Sequence, residues 1–270
     1  MPLIPIADLA AAPVDHIVSL GSNCQVAHNL RRYFNFSTAY PFDWWISGAS
    51  GVVKVLDGYE TNDLYSPASL IFQAIGANDR AVVLNKDLGI SFNHEFPRDR
   101  KQPGSPVLES YASHLPAAME RTDALTRRLF SLNRRGLRLL FVRRALRHEQ
   151  ADVNEYRALL ETLSKRFSNV LFGLLMVNAT LTKAQLGDAE NLNIHSDRSF
   201  GWKGDPAAWD IGLAPLGITL SEGLHKPAKE HVSPHSPPEG GVTVAGEAKK
   251  STRVPDASVF LAASASPFHR

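Results

Sequence analysis

Three short, mostly apolar runs constrain the fold of this chain more than any other feature. They are IVSL (17–20), LRLLFV (137–142) and NVLFGLLMV (169–177). Strands that are apolar on both faces and separated by helices are typical of a parallel sheet covered on both sides. The pattern predicts an α/β protein, specifically a three-layer doubly wound sandwich with a mostly parallel sheet.

Helical periodicity and shorter alternating runs predict the remaining elements. The predicted helices cover 25–33, 109–134 and 152–167, and the further predicted strands cover 81–85, 89–96 and 192–195. Residues 52–75 are predicted to form helix and loop.

Composition changes near residue 217. The segment 218–270 contains six prolines, many Ala and Ser residues and no Trp or Tyr. Such a composition buries too little apolar surface to offset the entropy of ordering the chain. We predict a single α/β catalytic domain over 1–217 and a disordered tail over 218–270.

The charge balance and the cysteine count exclude several classes of protein. Lys and Arg number 29 against 27 Asp and Glu, a net charge of +2, so nucleic acid and membrane are not expected as partners. No apolar stretch of about 18 residues predicts a membrane span. Without the features of a signal peptide at the N-terminus, we expect a cytoplasmic protein.

Cys24 is the single cysteine, which excludes intramolecular disulfides and cysteine-ligated metal clusters; no metal site is predicted.

Cys24 is placed where a thiol can be activated. It follows the first predicted strand through the loop 21–23 and begins a predicted helix. In parallel sheets, ligands bind outside the carboxyl ends of the strands. A helix N-terminus favours a thiolate and can receive an oxyanion. The side chain of Asn23 is a further candidate donor, and Ser22 and Gln25 are candidate substrate contacts. The alternative is a buried cysteine that packs beneath the helix.

A nucleophilic cysteine needs a base, and His94 is the first choice. It lies in FNHEF (92–96), an alternating strand end from which a base can reach a cleft, with Asn93 beside it as a candidate orienter or substrate contact. The alternative for His94 is a histidine of the hydrophobic core. His195, at the end of the last predicted strand, is the second choice for the base.

The segment YPFDWW (40–45) concentrates aromatic residues around one acid. In the functional interpretation, Asp43 orients the base or contacts substrate, and Trp44 and Trp45 are walls of the pocket. The alternative is a hydrophobic plug in which Asp43 caps a helix. A second cluster of aromatic and acidic residues, 202–210, is a candidate cap of the same cleft.

Several arginines bear on the choice of acyl acceptor. They are Arg31, Arg32, Arg127, Arg128 and Arg143. Arginines that converge on the cleft, Arg143 first among them as a substrate contact, indicate a phosphate-bearing cosubstrate such as coenzyme A. Arginines on solvated helix faces favour hydrolysis.

Seven separated motifs occur in order over roughly residues 15–213. They are SLGSNC (19–24), LRR (30–32), YPFDW (40–44), FNHEF (92–96), RR (127–128), FVR (141–143) and the segment 202–209. In these motifs the chain resembles a bacterial family of unknown function whose members are labelled papain-like cysteine peptidases. The resemblance implies a catalytic pair at Cys24 and His94.

A local resemblance points to a different acyl chemistry. Residues 21–25, GSNCQ, are similar to the Gly-Asn-Cys-Gln motif of capsular-polysaccharide acetyltransferases, with Ser22 inserted between the Gly and the Asn. That similarity implies coenzyme A as a cosubstrate.

Three functions stay open at this point. The first is a thiol-dependent hydrolase of the cysteine peptidase or amidase type, which requires no cofactor and acts on a small-molecule, saccharide or peptide substrate. The second is an acyltransferase that uses coenzyme A and a sugar or amine acceptor. The third is a non-catalytic module that binds a small molecule. The sequence predicts no oligomeric state.

Overall fold

The computed structural model describes residues 2–58, 64–75, 80–97, 102–106, 111–194 and 198–222. These residues form a mixed α/β protein with one parallel and one antiparallel sheet of four strands each. The predicted α/β class is therefore confirmed. His195 and the segment 223–270, most of the predicted tail, lie outside the described residues.

The elements of the described chain alternate between strand and helix, except that the third, fourth and fifth strands follow one another. The strands are β1 (His16–Ser19), β2 (Trp45–Ser47), β3 (Leu70–Ile75), β4 (Arg80–Asn85), β5 (Ile90–Phe92), β6 (Arg138–Arg144), β7 (Leu171–Val177) and β8 (Glu190–Leu192). The helices are α1 (Ile6–Leu9), α2 (Cys24–Tyr33), α3 (Ala49–Leu56), α4 (Leu115–Phe130), α5 (Val153–Arg166), α6 (Lys183–Leu186) and α7 (Pro206–Leu213).

The parallel sheet contains the three apolar runs. Its strands are hydrogen-bonded in the order β1-β6-β7-β8. Among these four strands the order runs in one direction, without the reversal of a doubly wound sheet, so that finer part of the prediction is not confirmed. The last strand, β8, ends at Leu192, where the predicted strand 192–195 begins.

Both faces of the parallel sheet are buried. Leu139 and Phe141 of β6 belong to one hydrophobic core, which includes residues of α3, α4 and α5. Leu140 and Val142, on the opposite face, belong to a second core with residues of α1, α2 and α7. This two-sided burial explains why the strand sequences lack alternation.

The antiparallel sheet, in the order β2-β5-β4-β3, was not predicted as a unit. Residues 70–75 belong to β3, paired along their length with β4, so the interpretation of 52–75 as helix and loop is wrong in this part. The helix Ala49–Leu56 confirms the helical part of that prediction over 52–56. The strand predicted over 89–96 is shorter, because pairing with β2 and β4 ends at Phe92 and the chain then bends.

The packed chain continues past residue 217. Ile218 and Leu220 are buried in the second core, and the Val14 N–H donates to the Thr219 carbonyl over 2.9 Å. No helix among the described residues is long and apolar enough to cross a membrane.

Candidate active site

Cys24 is the first residue of α2, at the carboxyl end of β1. The helix begins there because Asn23 has an extended backbone and its Oδ1 accepts the Gln25 N–H over 3.1 Å. This is an N-cap, which leaves the first helical N–H groups directed towards the loop. The Cys24 side chain is partly exposed. The thiol therefore lies at the edge of the sheet where ligands bind in α/β proteins.

A buried ion pair holds the loop before Cys24. Arg143, at the end of β6, is fully buried and its Nη2 donates to Glu149 Oε2 over 2.7 Å. Its Nη1 donates to the Leu20 carbonyl over 2.8 Å, and its Nη2 also donates to the Ser47 carbonyl over 3.1 Å. The guanidinium thus joins the end of β1 to the end of β2.

Glu149 extends this brace to a third element. Its Oε1 accepts the Ala49 N–H, at the first residue of α3, over 2.6 Å. Its Oε2 accepts the Leu146 N–H over 3.3 Å. Both carboxylate oxygens therefore have donors in addition to Arg143, as a buried charge requires. The sequence offered no motif that singles out Glu149.

This arrangement does not support Arg143 as a substrate contact. The guanidinium faces protein carbonyls and Glu149 on a side chain with no exposed surface. We therefore assign Arg143 to positioning the Cys24 loop.

The loop before Cys24 packs closely against Ser47 of β2, which leaves little space for a side chain at Gly21. A Cβ at Gly21 would lie 2.9 Å from Ser47 Oγ, and φ there is +82°, a conformation that favours glycine. The Ser22 carbonyl accepts the Ser47 N–H over 2.9 Å. Ser22 is completely buried, and its Oγ has no hydrogen-bond partner among the described residues. Its burial argues against the predicted role of Ser22 as a substrate contact.

The side-chain amide of Gln25 holds a turn against α2. Both of its polar atoms bind other residues of the chain, so the amide is not available to bind substrate. Its Nε2 donates to the Trp202 carbonyl over 3.3 Å, and its Oε1 accepts Arg144 Nη1 over 2.8 Å. One turn later, Asn29 Nδ2 donates to the Lys203 carbonyl over 2.8 Å. The cluster 202–210 therefore does pack on the cysteine-bearing helix, through two amide side chains that the sequence analysis gave no such role.

His94 lies in the bend after β5, with an exposed side chain. Its ring contacts Trp44, with the ring centroids 5.5 Å apart. Trp44 precedes β2 at the end opposite Ser47, which bonds to the Cys24 loop. Three residues of extended chain, about 10 Å, separate those two positions. The described contacts thus connect His94 to the loop through Trp44 and β2, and the pairing of His94 with Cys24 stays a prediction. Asn93 beside it is half-buried.

Asp43 has partners other than a histidine. Its Oδ2 accepts the Tyr40 N–H over 2.8 Å and forms an ion pair with Arg31 of α2. Burial raises the pKa of Asp43 to about 7, against the lowering effects of the Arg31 charge and the Tyr40 N–H. This geometry fits the alternative of a capping residue, since Asp43 completes a capping box with Tyr40.

The two tryptophans of YPFDWW have different environments. Trp45 is 1% exposed, packs on Phe42 and Phe92, and donates its Nε1–H to Glu95 Oε1 over 3.0 Å. Trp45 is therefore a core residue and not a pocket wall. Trp44 is 36% exposed, so part of its ring is accessible to a ligand. The Arg31 guanidinium lies 5.3 Å from the centroid of the same ring.

The five arginines do not form a shared cluster. Each has its own partner: Arg31 with Asp43, Arg32 with Asp210, Arg127 with Asp123, Arg128 with the Ala39 carbonyl, and Arg143 with Glu149. Arg143 is fully buried and the Arg31 side chain is only 15% exposed, so the five arginines do not all lie on solvated helix faces, and the choice between hydrolysis and transfer stays a prediction.

One group of side chains has the spacing of metal ligands. Single ligand atoms of His148, Glu149 and Glu155 lie within 4.8 Å of one another. The Glu149 carboxylate, however, already receives the Arg143 guanidinium, so a cation at this point would meet a fixed positive charge. A surface cavity lined by residues 135–137 and 168–171 lies at the amino ends of β6 and β7, the edge opposite Cys24.

Comparison of the chain with protein-family models, with curated proteins and with solved structures found no match.

Proposed function

We propose that the protein is a thiol-dependent enzyme that acts on an acyl group, a hydrolase of the amidase or peptidase type, with Cys24 as the nucleophile. The observation that carries the proposal is the position of the thiol: partly exposed, at the first residue of the ten-residue helix α2 and at the carboxyl end of a parallel strand. The two helical layers on the parallel sheet, which we propose form a three-layer scaffold, hold this end of β1 in place.

The residues around Cys24 suit the first chemical step. The thiolate attacks the carbonyl carbon, forming a C–S bond, and the thiol proton passes to a base. The carbonyl oxygen becomes an oxyanion that the positive end of the α2 dipole stabilises. Asn23 fixes that start through its cap on Gln25.

The second step returns the enzyme to its resting state. The base gives its proton to the leaving group as the C–N or C–O bond breaks, and water then hydrolyses the thioester to release the acid and the thiol. The base is His94 or His195, of which His195 lies outside the described residues. We also propose a cytoplasmic location, where a free thiol stays reduced, and a small-molecule, saccharide or peptide substrate.

Alkylation of Cys24 tests the proposal directly, because it is the only cysteine of the chain. The rate of reaction with iodoacetamide is measured against pH for the native protein and for the His94→Ala and His195→Ala variants. We expect a midpoint well below the ordinary thiol pKa of about 8.5, and a change in profile for the variant that lacks the base.

Two results would contradict the proposal. A midpoint near the ordinary value would leave Cys24 as a packing residue and favour a binding module. Identical profiles for the native protein and both histidine variants would exclude the Cys-His pair. Cys24→Ala, which has no thiol, is the control for reaction elsewhere.

A further inference from the structure

Trp202 is an exposed aromatic residue held in place by buried polar side chains. It is 48% exposed, yet the backbone carbonyls of Trp202 and Lys203 accept the side-chain amides of Gln25 and Asn29. Gln25 is 6% exposed and Asn29 is fully buried. The ring is therefore an ordered, solvent-accessible aromatic face on a turn that packs against the cysteine-bearing helix, a surface on which a ligand ring can stack.

The turn that carries Trp202 is built for close contact with α2. Gly204 has φ +67°, and a Cβ there would collide with the Gln25 side chain. Only glycine allows this approach. The backbone of this turn is therefore fixed by Gly204 on one side of the contact and by Gln25 and Asn29 on the other.

Trp202 contacts the helix that carries the thiol. Its ring packs edge-on against His28, with centroids 5.3 Å apart. His28 is four residues after Cys24, so the two side chains lie on the same face of α2, about one turn or 6 Å apart. Trp202 is thus connected to Cys24 through His28, one helical turn along α2.

The surroundings of this ring are positively charged. Lys203 Nζ lies 5.8 Å from the Trp202 ring centroid, and none of the ion pairs among the described residues involves Lys203. The pKa of His28 is lowered by burial and then by Lys203, Arg32 and Arg31. Arg32 and Arg31 have acidic partners, which leaves Lys203 as the cation beside the ring.

We propose that Trp202 and Lys203 form a subsite next to Cys24 for a ring compound that carries a phosphate group. The ring stacks on the indole, which is favourable for flat bases and for apolar ring faces alike. The ammonium of Lys203 neutralises the phosphate. As a statement about the substrate or cosubstrate of Cys24, this rests on the proposed function; as a binding site, it does not require the thiol.

Calorimetric titration of the full-length Cys24→Ala protein tests the subsite without thiol chemistry. The probes are adenosine 5′-monophosphate and glucose 6-phosphate, each with its uncharged counterpart, adenosine or glucose. We expect at least one phosphate to bind about tenfold or more tightly than its counterpart. The two phosphates distinguish a nucleotide-type ligand, such as coenzyme A, from a sugar phosphate.

Variants assign the binding to these residues. In the Cys24→Ala background, Trp202→Ala and Lys203→Met are each expected to lower the affinity about tenfold, and Trp202→Phe, which keeps an aromatic ring, to lower it less. Lys165→Met, at an exposed lysine of α5, is the matched control and is expected to change nothing.

The subsite is overturned by any of three results. They are no binding of either phosphate at millimolar concentration, equal binding of the charged and uncharged probes, or unchanged affinity in Trp202→Ala and Lys203→Met. Because the titration lacks the thiol and the alkylation test lacks these probes, failure of one proposal is distinguishable from failure of the other.

Discussion

At the scale of single residues, the buried ion pair of Arg143 and Glu149 fixes the position of the Cys24 loop. Together they receive or donate hydrogen bonds at the ends of β1 and β2 and at the start of α3. Neither residue faces solvent. A buried ion pair of this kind adds little net stability over an apolar pair, but removal of one partner leaves an uncompensated charge.

Glu149→Gln is therefore expected to lower the free energy of unfolding by about 3–5 kcal/mol, since Arg143 stays buried without a counter-charge. Urea denaturation measures the loss. The matched control is Asp123→Asn, which breaks an exposed pair with Arg127 and is expected to change stability by less than about 0.5 kcal/mol. Equal effects of the two substitutions would show that burial of the pair has no consequence.

At the scale of elements, helix α2 and its cap were predictable from sequence. The contacts of Arg143, Glu149 and Ser47 that hold the Cys24 loop were not. The strand, the polar loop and the start of the helix follow from local signals at 17–25. The β3 strand and the contact of Ser47 with the Cys24 loop depend on residues far apart in the chain. Local periodicity carries no information on such pairing, which explains the error at 70–75.

The Asn23 cap is expected to matter both to stability and to the thiol. Asn23→Ala removes the acceptor of the Gln25 N–H and should cost about 1 kcal/mol of stability. It should also raise the midpoint pH of Cys24 alkylation, because the frayed helix start stabilises the thiolate less. Asp205→Ala removes the equivalent cap of α7, where Asp205 accepts the Ala207 N–H over 2.9 Å. It should cost similar stability and leave the alkylation midpoint unchanged. A shift of the same size in both variants would contradict a local effect.

At the scale of the whole molecule, two sheets meet at the site. The Ser47 N–H of the antiparallel sheet donates to the Ser22 carbonyl in the loop that follows β1 of the parallel sheet. The Arg143 guanidinium, from β6, bonds to both. The apolar runs predicted the parallel sheet because a strand that is buried on both faces is apolar along its whole length. For Trp45 and Asp43 the sequence left a pocket and a core cluster both open, because composition does not distinguish the two.

The packing of Asp43 between Arg31 and Tyr40 predicts a pH dependence of the stability of the folded chain. Burial raises the pKa of Asp43 from 3.8 to about 7, so the folded state keeps a proton that the unfolded state has lost. The folded state binds more protons between those values, and the contribution of Asp43 to stability therefore declines as the pH rises through them. The lowered pKa values of His16 and His28 act in the opposite direction.

Comparison with Asp43→Asn isolates this contribution, because the histidines are common to both proteins and the amide has no charge at any pH. The free energy of unfolding of Asp43→Asn, minus that of the native protein, is expected to rise by roughly 1–3 kcal/mol between about pH 5 and about pH 8. Urea denaturation across this range measures the difference. Glu190→Gln, which breaks the exposed pair with Lys183, should give a difference that does not change with pH. A difference for Asp43→Asn that stays constant, or falls, would mean that Arg31 and the Tyr40 N–H outweigh burial and keep the Asp43 carboxylate ionised throughout.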